Sequence, residues 1–156
     1  MLLLFLYGSL VLWFGGVNGR STSSRMDDFE IDRRNRCEPI SIDLCSPLQY
    51  NKTLIPNAFQ HQTQSEADTE LRQWTPLINR NCSHSTRLFL CSLYAPVCTV
   101  VHRVIPPCRH LCLSVRQGCL PVMQSYGIEW PQALRCEQYP NPEEDMCISK
   151  GTDSNK

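Results

Sequence analysis

The chain has 156 residues, with 15 basic and 15 acidic side chains and a formal net charge of zero, a length that suits one domain plus flanks. Between Cys37 and Cys147 there are 8 basic and 10 acidic residues, without the basic stripe that would track a phosphate backbone, so nucleic-acid binding is set aside. All ten cysteines follow an apolar N-terminal run, which implies an oxidising compartment and five disulfides in place of a large apolar core.

The N-terminal run extends from Leu2 to Phe14 and is too short to span a bilayer, which needs about 20 apolar residues. With the short side chains at Val17-Asn18-Gly19, it reads as a signal peptide, residues 1–19, cut after Gly19. Residues 20–36 are polar and charged with little to bury, and they read as a flexible leader. Arg33-Arg34-Asn35-Arg36 resembles a proprotein-convertase site, but a solvated charge run is the favoured reading.

Ile40, Ile42 and Leu44 alternate with Ser41 and Asp43, a period of two that predicts a short strand. The β-branched Val100, Val101, Val104 and Ile105, ending at Pro106-Pro107, predict a second strand and hence a minor sheet. Between them, Thr63-Gln64-Ser65-Glu66 fits a capping box that opens a helix. Ala67, Leu71, Trp74 and Ile78 recur at helical spacing, and Pro76 should end or kink this helix. A second helix is expected from Ser85 to Leu93, with Ser83 or Ser85 as its cap.

The third helix has the strongest pattern. Cys108, Leu111, Cys112, Val115, Cys119, Val122, Met123 and Tyr126 follow at spacings of three and four. Pro107 suits the first helical turn, Pro121 should break or kink the helix, and Gly127 suits the left-handed position after its end. Three cysteines on one helical face must be tied to three different segments. Ten cysteines allow about 945 pairings, nine times the 105 for eight, and spacing alone cannot choose among them. A short turn is expected at Trp130-Pro131. The predicted fold is mainly α: a small disulfide-rich domain, residues 37–148, with a minor short β-sheet and a tail at 149–156.

Two tripeptides fit the N-glycosylation acceptor, at Asn51 and, more weakly, at Asn81, whose motif includes Cys82. Nucleophile and metalloprotease motifs are absent, and an even cysteine count leaves no spare thiol, so the chain is read as a non-enzyme. His102 and His110 near Cys108 and Cys112 suggest zinc, but disulfides are the stronger reading in a secreted chain. Neither a metal nor a cofactor is expected. Surface recognition remains. Trp74, Leu77, Leu93, Tyr94, Met123, Tyr126 and Ile128 are each candidates for the core, yet beside Pro76 and Gly127 they could together line an apolar groove.

Several stretches resemble the Frizzled-type cysteine-rich domain, the N-terminal extracellular domain of Wnt receptors. They are Cys37-Glu38-Pro39-Ile40, Tyr50-Asn51-Lys52-Thr53, Phe89 through Cys98, Pro106-Pro107-Cys108-Arg109, Tyr126 through Pro131, and Leu134-Arg135-Cys136. The resemblance implies the pairing Cys37–Cys98, Cys45–Cys91, Cys82–Cys119, Cys108–Cys147 and Cys112–Cys136. It implies acylated Wnt proteins as partners, with the fatty acyl chain held in a groove of Gln73, Trp74, Pro76, Leu77, Leu93, Met123, Tyr126, Gly127 and Ile128. A second Wnt contact patch would involve Leu88, Val97, Met146 and Ile148. Thr75 stands where many relatives carry an aromatic residue, and Arg80 where the groove margin is often apolar.

By the same resemblance, a receptor would contact the membrane through a seven-helix region beyond this chain, with the domain on the extracellular face. A complete chain would instead be a secreted decoy. A lipid- or sterol-carrying interaction domain is the alternative from another class, and a homodimer is compatible with either.

Overall fold

The computed structural model describes residues 36–150, so the expected signal peptide, the leader up to Asn35 and residues 151–156 lie outside the described residues. Two strands, β1 (Arg36–Pro39) and β2 (Lys52–Ile55), form an antiparallel ribbon in which Cys37 faces Leu54 and Pro39 faces Lys52. Four α-helices follow: α1 (Gln64–Leu71), α2 (Thr75–Asn79), α3 (Thr86–Tyr94) and α4 (Arg109–Gln124). Short 3-10 turns occupy Asp43–Cys45, Arg72–Trp74, Gln132–Leu134 and Cys136–Gln138. Among these residues no helix is long and apolar enough to cross a membrane.

The sheet exists, but neither strand lies where residue pattern placed it. Ile40 N–H still bonds Asn51 O at 3.0 Å, and the chain then turns. Ile42 and Cys45 are both buried, three residues apart across the Asp43–Cys45 turn. A 3-10 turn hides residues at i and i+3, so a five-residue alternation was satisfied without a strand. Among the described residues the valine-rich stretch has no strand beside it. Val100 is 93 % exposed, and His102 N–H closes a turn on Thr99 O. β-Propensity reflects packing against neighbouring strands, which this stretch lacks.

Helix α1 starts as expected. Thr63 Oγ1 accepts from Glu66 N–H at 3.2 Å, while the Glu66 carboxylate reaches one residue further back, to Gln62 N–H at 2.8 Å. Pro76 does not simply end the helix. The chain tightens through Arg72–Trp74 and restarts as α2 with Pro76 in its first turn, where a missing N–H costs nothing. Ser85 occupies the N-cap position of α3 without a side-chain capping bond; Ser83 Oγ instead accepts from Ser85 N–H.

Helix α4 departs from expectation at Pro107, and Pro121 does not break it. Its N-cap is Cys108, so Pro107 stands outside the helix. Cys108 N–H bonds Ile148 O and Ile148 N–H bonds Pro106 O, both at 2.8 Å, which ties the C-terminal segment to the helix entry. Pro121 is carried inside the helix without a break. It lies on the exposed face, as does Gln117 one turn earlier, so the carbonyl that loses its N–H partner can be hydrated.

The core joins Phe89, Leu90, Leu93 and Tyr94 of α3 to Leu111, Val115 and Cys119 of α4, with Leu71, Leu134 and Tyr139 at its edges. Five disulfides pin it: Cys37–Cys98, Cys45–Cys91, Cys82–Cys119, Cys108–Cys147 and Cys112–Cys136. Cys108, Cys112 and Cys119 reach three different segments, as one helical face requires.

Candidate functional site

The end of α4 is shaped by its termination. Gly127 adopts φ +71°, which lets Gly127 N–H bond Gln124 O at 2.9 Å and Ile128 N–H bond Met123 O at 3.0 Å. This is the paired-bond Schellman ending, whose accompanying apolar contact joins the residues at either side of the turn. Here those residues are Met123 and Ile128, and both line one groove.

The groove has a volume of about 570 Å³ and is mostly apolar, within the roughly 300–1,000 Å³ of small-molecule sites. One wall is Gln73 and Trp74 from the 3-10 turn with Pro76, Leu77 and Arg80 of and after α2. The other is Val122, Met123, Tyr126, Ile128 and Pro131. Of the nine residues implied for this groove, seven line it.

The other two behave differently. Leu93 is only 2 % exposed and belongs to the core, as does Tyr94 at 1 %. Every residue from Phe89 to Pro96 is buried, so α3 has no face left for the groove there. Gly127 contributes backbone conformation rather than lining. Val122 and Pro131 were not foreseen. Val122 stands one turn before Tyr126 on the same helical face, a legible signal; Pro131 arrives by the chain reversal after Gly127 and carries no periodic cue.

Trp74 is held from behind by a chain of hydrogen bonds. Its Nε1–H donates to the Tyr94 hydroxyl at 3.1 Å, and Tyr94 donates to Glu70 Oε1 at 2.9 Å. Glu70 Oε2 lies 2.8 Å from His61 Nε2. The His61 tautomer follows from Asn57, whose Oδ1 accepts from Phe59 and His61 N–H and whose Nδ2 donates to Tyr94 O. Asn57 Nδ2, 3.0 Å from His61 Nδ1, is therefore the donor, so Nε2 carries the proton given to Glu70. Burial pushes the Tyr94 phenol above its usual range.

Arg80 closes the margin. Its guanidinium lies 5.2 Å from the Tyr126 ring centroid and donates to the Tyr126 hydroxyl, joining the two walls across the opening.

A second cavity, of about 450 Å³, contains Leu88, Val97 and Ile148 from the expected contact patch, together with Pro47, Leu48 and Tyr50. Gln49, His84, Ser85, Ser149 and Lys150 complete it. Met146 lies outside this lining and is 55 % exposed, on a segment turned outward beside the Cys108–Cys147 bridge. Asn51 and Asn81 are both exposed. Among the described residues no cluster of histidine, cysteine or acidic side chains could hold a metal, and all ten cysteines are in disulfides.

Comparison with known proteins adds to this geometry. The family model described as the Fz domain matches residues 37–143. The chain is 46 % identical over 117 residues to Frizzled-1 of Xenopus laevis, covering 74 % of this chain and 21 % of that protein. It is 44 % identical over 153 residues to Protein mom-5 of Caenorhabditis elegans, covering 97 % and 26 % respectively. It thus spans about a quarter or less of these curated relatives. Among solved structures, the Smoothened cysteine-rich domain matches with a TM-score of 0.52 at 33 % identity, over 68 % of this chain and 93 % of that one. The Xenopus Smoothened domain in complex with cyclopamine matches at 0.53 and 32 %, over 67 % and 95 %. Ten cysteines paired in this order, a mainly helical core, and a matching family model that covers most of the chain place the protein in the Frizzled-type cysteine-rich domain family.

Proposed function

We propose that this chain is the extracellular ligand-capture domain of a Wnt receptor, and that the groove between α2 and the end of α4 takes the acyl chain of a lipid-modified Wnt protein. The observation that carries the reading is the groove itself: an apolar trough of about 570 Å³ between two walls fixed by a capped helix end and a hydrogen-bonded tryptophan. Each methylene buried there contributes roughly 0.8 kcal/mol, so a long chain supplies most of the affinity even after ordering costs. The cavity at Leu88, Val97 and Ile148 is assigned to protein–protein contact with the same ligand.

The test compares binding of the secreted chain to an acylated Wnt protein and to its de-acylated form. Binding that requires the acyl group, and that Leu77→Glu abolishes with all five disulfides intact, is the expected result. Equal binding of both forms would sink the groove assignment. One observation favours a second reading, free sterol or lipid carriage: a structural neighbour at TM-score 0.53 was solved with cyclopamine. A sterol that binds while acylated Wnt proteins do not would select it.

A further inference from the structure

Among the described residues that line the groove, Arg80 alone carries a charge. It follows α2 as its C-terminal cap, with its N–H bonded to Pro76 O at 3.1 Å, so its backbone is fixed while its side chain is exposed. Most other arginines of the domain are occupied. Arg72 pairs with Asp68, Arg103 with Asp145 and Arg116 with Glu137, and Arg109 donates to two carbonyl oxygens. Among the described residues Arg80 has no acidic partner, and its one acceptor there is the neutral Tyr126 hydroxyl. The Tyr126 ring beneath the guanidinium holds it at the groove opening by a cation–π contact.

A guanidinium has five donors in a planar fork. One goes to Tyr126, and the others face solvent at the lip of an apolar trough. Charge-assisted bonds to a carboxylate are roughly twice as strong as neutral ones, and the fork takes both carboxylate oxygens together. An ionised head group therefore outcompetes the phenol for the guanidinium, which keeps its place over the ring.

Resting on the reading of the groove as an acyl-chain site, we propose that Arg80 is a head-group specificity residue: it makes the groove prefer a chain ending in a free carboxylate over the same chain as an uncharged ester. The chain with its ester linkage and the chain as a free acid are then distinct ligands for one groove, ranked by a single side chain.

The test uses decanoate and methyl decanoate, titrated into the intact secreted chain at about pH 8, where a carboxylate is ionised. The expected result is about tenfold tighter binding of the acid at low salt, shrinking as salt screens the exposed pair. Arg80→Gln should bind acid and ester alike, and Arg80→Lys should retain part of the preference. Arg80 is exposed, so these variants fold. Equal binding of acid and ester by the unmodified chain would overturn the proposal, as would a preference that survives Arg80→Gln. Binding of neither ligand would overturn the acyl-chain groove as well.

Discussion

The Trp74 indole donates its N–H to the Tyr94 hydroxyl at 3.1 Å, so a side chain on the groove wall is fastened to one that is 1 % exposed in the core. The same hydroxyl donates to Glu70. Wall and core are therefore one hydrogen-bonded unit.

Tyr94→Phe removes that oxygen and leaves the half-buried indole N–H without its acceptor. The expected cost is about 1–3 kcal/mol, the penalty for an orphaned buried donor. Urea unfolding followed by tryptophan fluorescence measures it. Binding of an acyl ligand should weaken in parallel, and unchanged stability and affinity would show that Trp74 needs no anchor.

Two glycines separate close packing from backbone conformation. A Cβ on Gly118 would lie 2.2 Å from Cys82 O, beside the Cys82–Cys119 bridge, and backbone cannot yield there. Gly118→Ala should abolish secretion of folded protein. A Cβ on Gly127 meets nothing within 4 Å, but the residue has φ +71°, so Gly127→Ala should cost only about 1–2 kcal/mol, the left-handed penalty for an L-residue. Secretion yield and thermal unfolding distinguish the pair.

Phe89 is fully buried between Trp130 and Tyr139, with ring centroids 6.4 and 5.9 Å away. Phe89→Ala should destabilise by about 3–5 kcal/mol. Opening the 24-residue separation of Cys112 and Cys136 by a double serine substitution should cost a similar roughly 3–4 kcal/mol on the chain-entropy account. Chemical denaturation reads both.

Alkaline pH should unfold the domain through its phenols. Burial raises Tyr139 from 10.0 to about 12, and it raises Tyr50 and Tyr94 further. A phenol whose folded pKa is raised prefers to stay protonated in the fold. Its contribution is fully present below pH 10, the unfolded value, and is lost as pH climbs toward 12. The unfolding midpoint should therefore hold steady below pH 10 and fall above it, with phenolate absorbance rising in the same window.

Local chemistry was readable from the chain. Thr63 and Glu66 announced α1, and the three-and-four spacing of Cys108, Leu111, Cys112, Val115 and Cys119 announced α4, because caps and helical faces are written in adjacent turns. Gly127 marked the reversal after α4 for the same reason, since few other residues accept its φ. An even set of cysteines behind an apolar leader argued for disulfides without the fold. Likeness to the Frizzled domains implied their pairing, which spacing left open.

Tertiary structure decided the rest. Alternation at Ile40–Leu44 and β-branched content at Val100–Ile105 predicted strands, yet the sheet joins Arg36–Pro39 to Lys52–Ile55, because a strand requires a partner and not only a pattern. Leu93 and Trp74 are both large and apolar, and only the packing of α3 against α4 sent one to the core and the other to the groove. Arg80 and Tyr126 are 46 positions apart; no local periodicity links them, and they meet because the Cys82–Cys119 bridge draws the segment after α2 against α4.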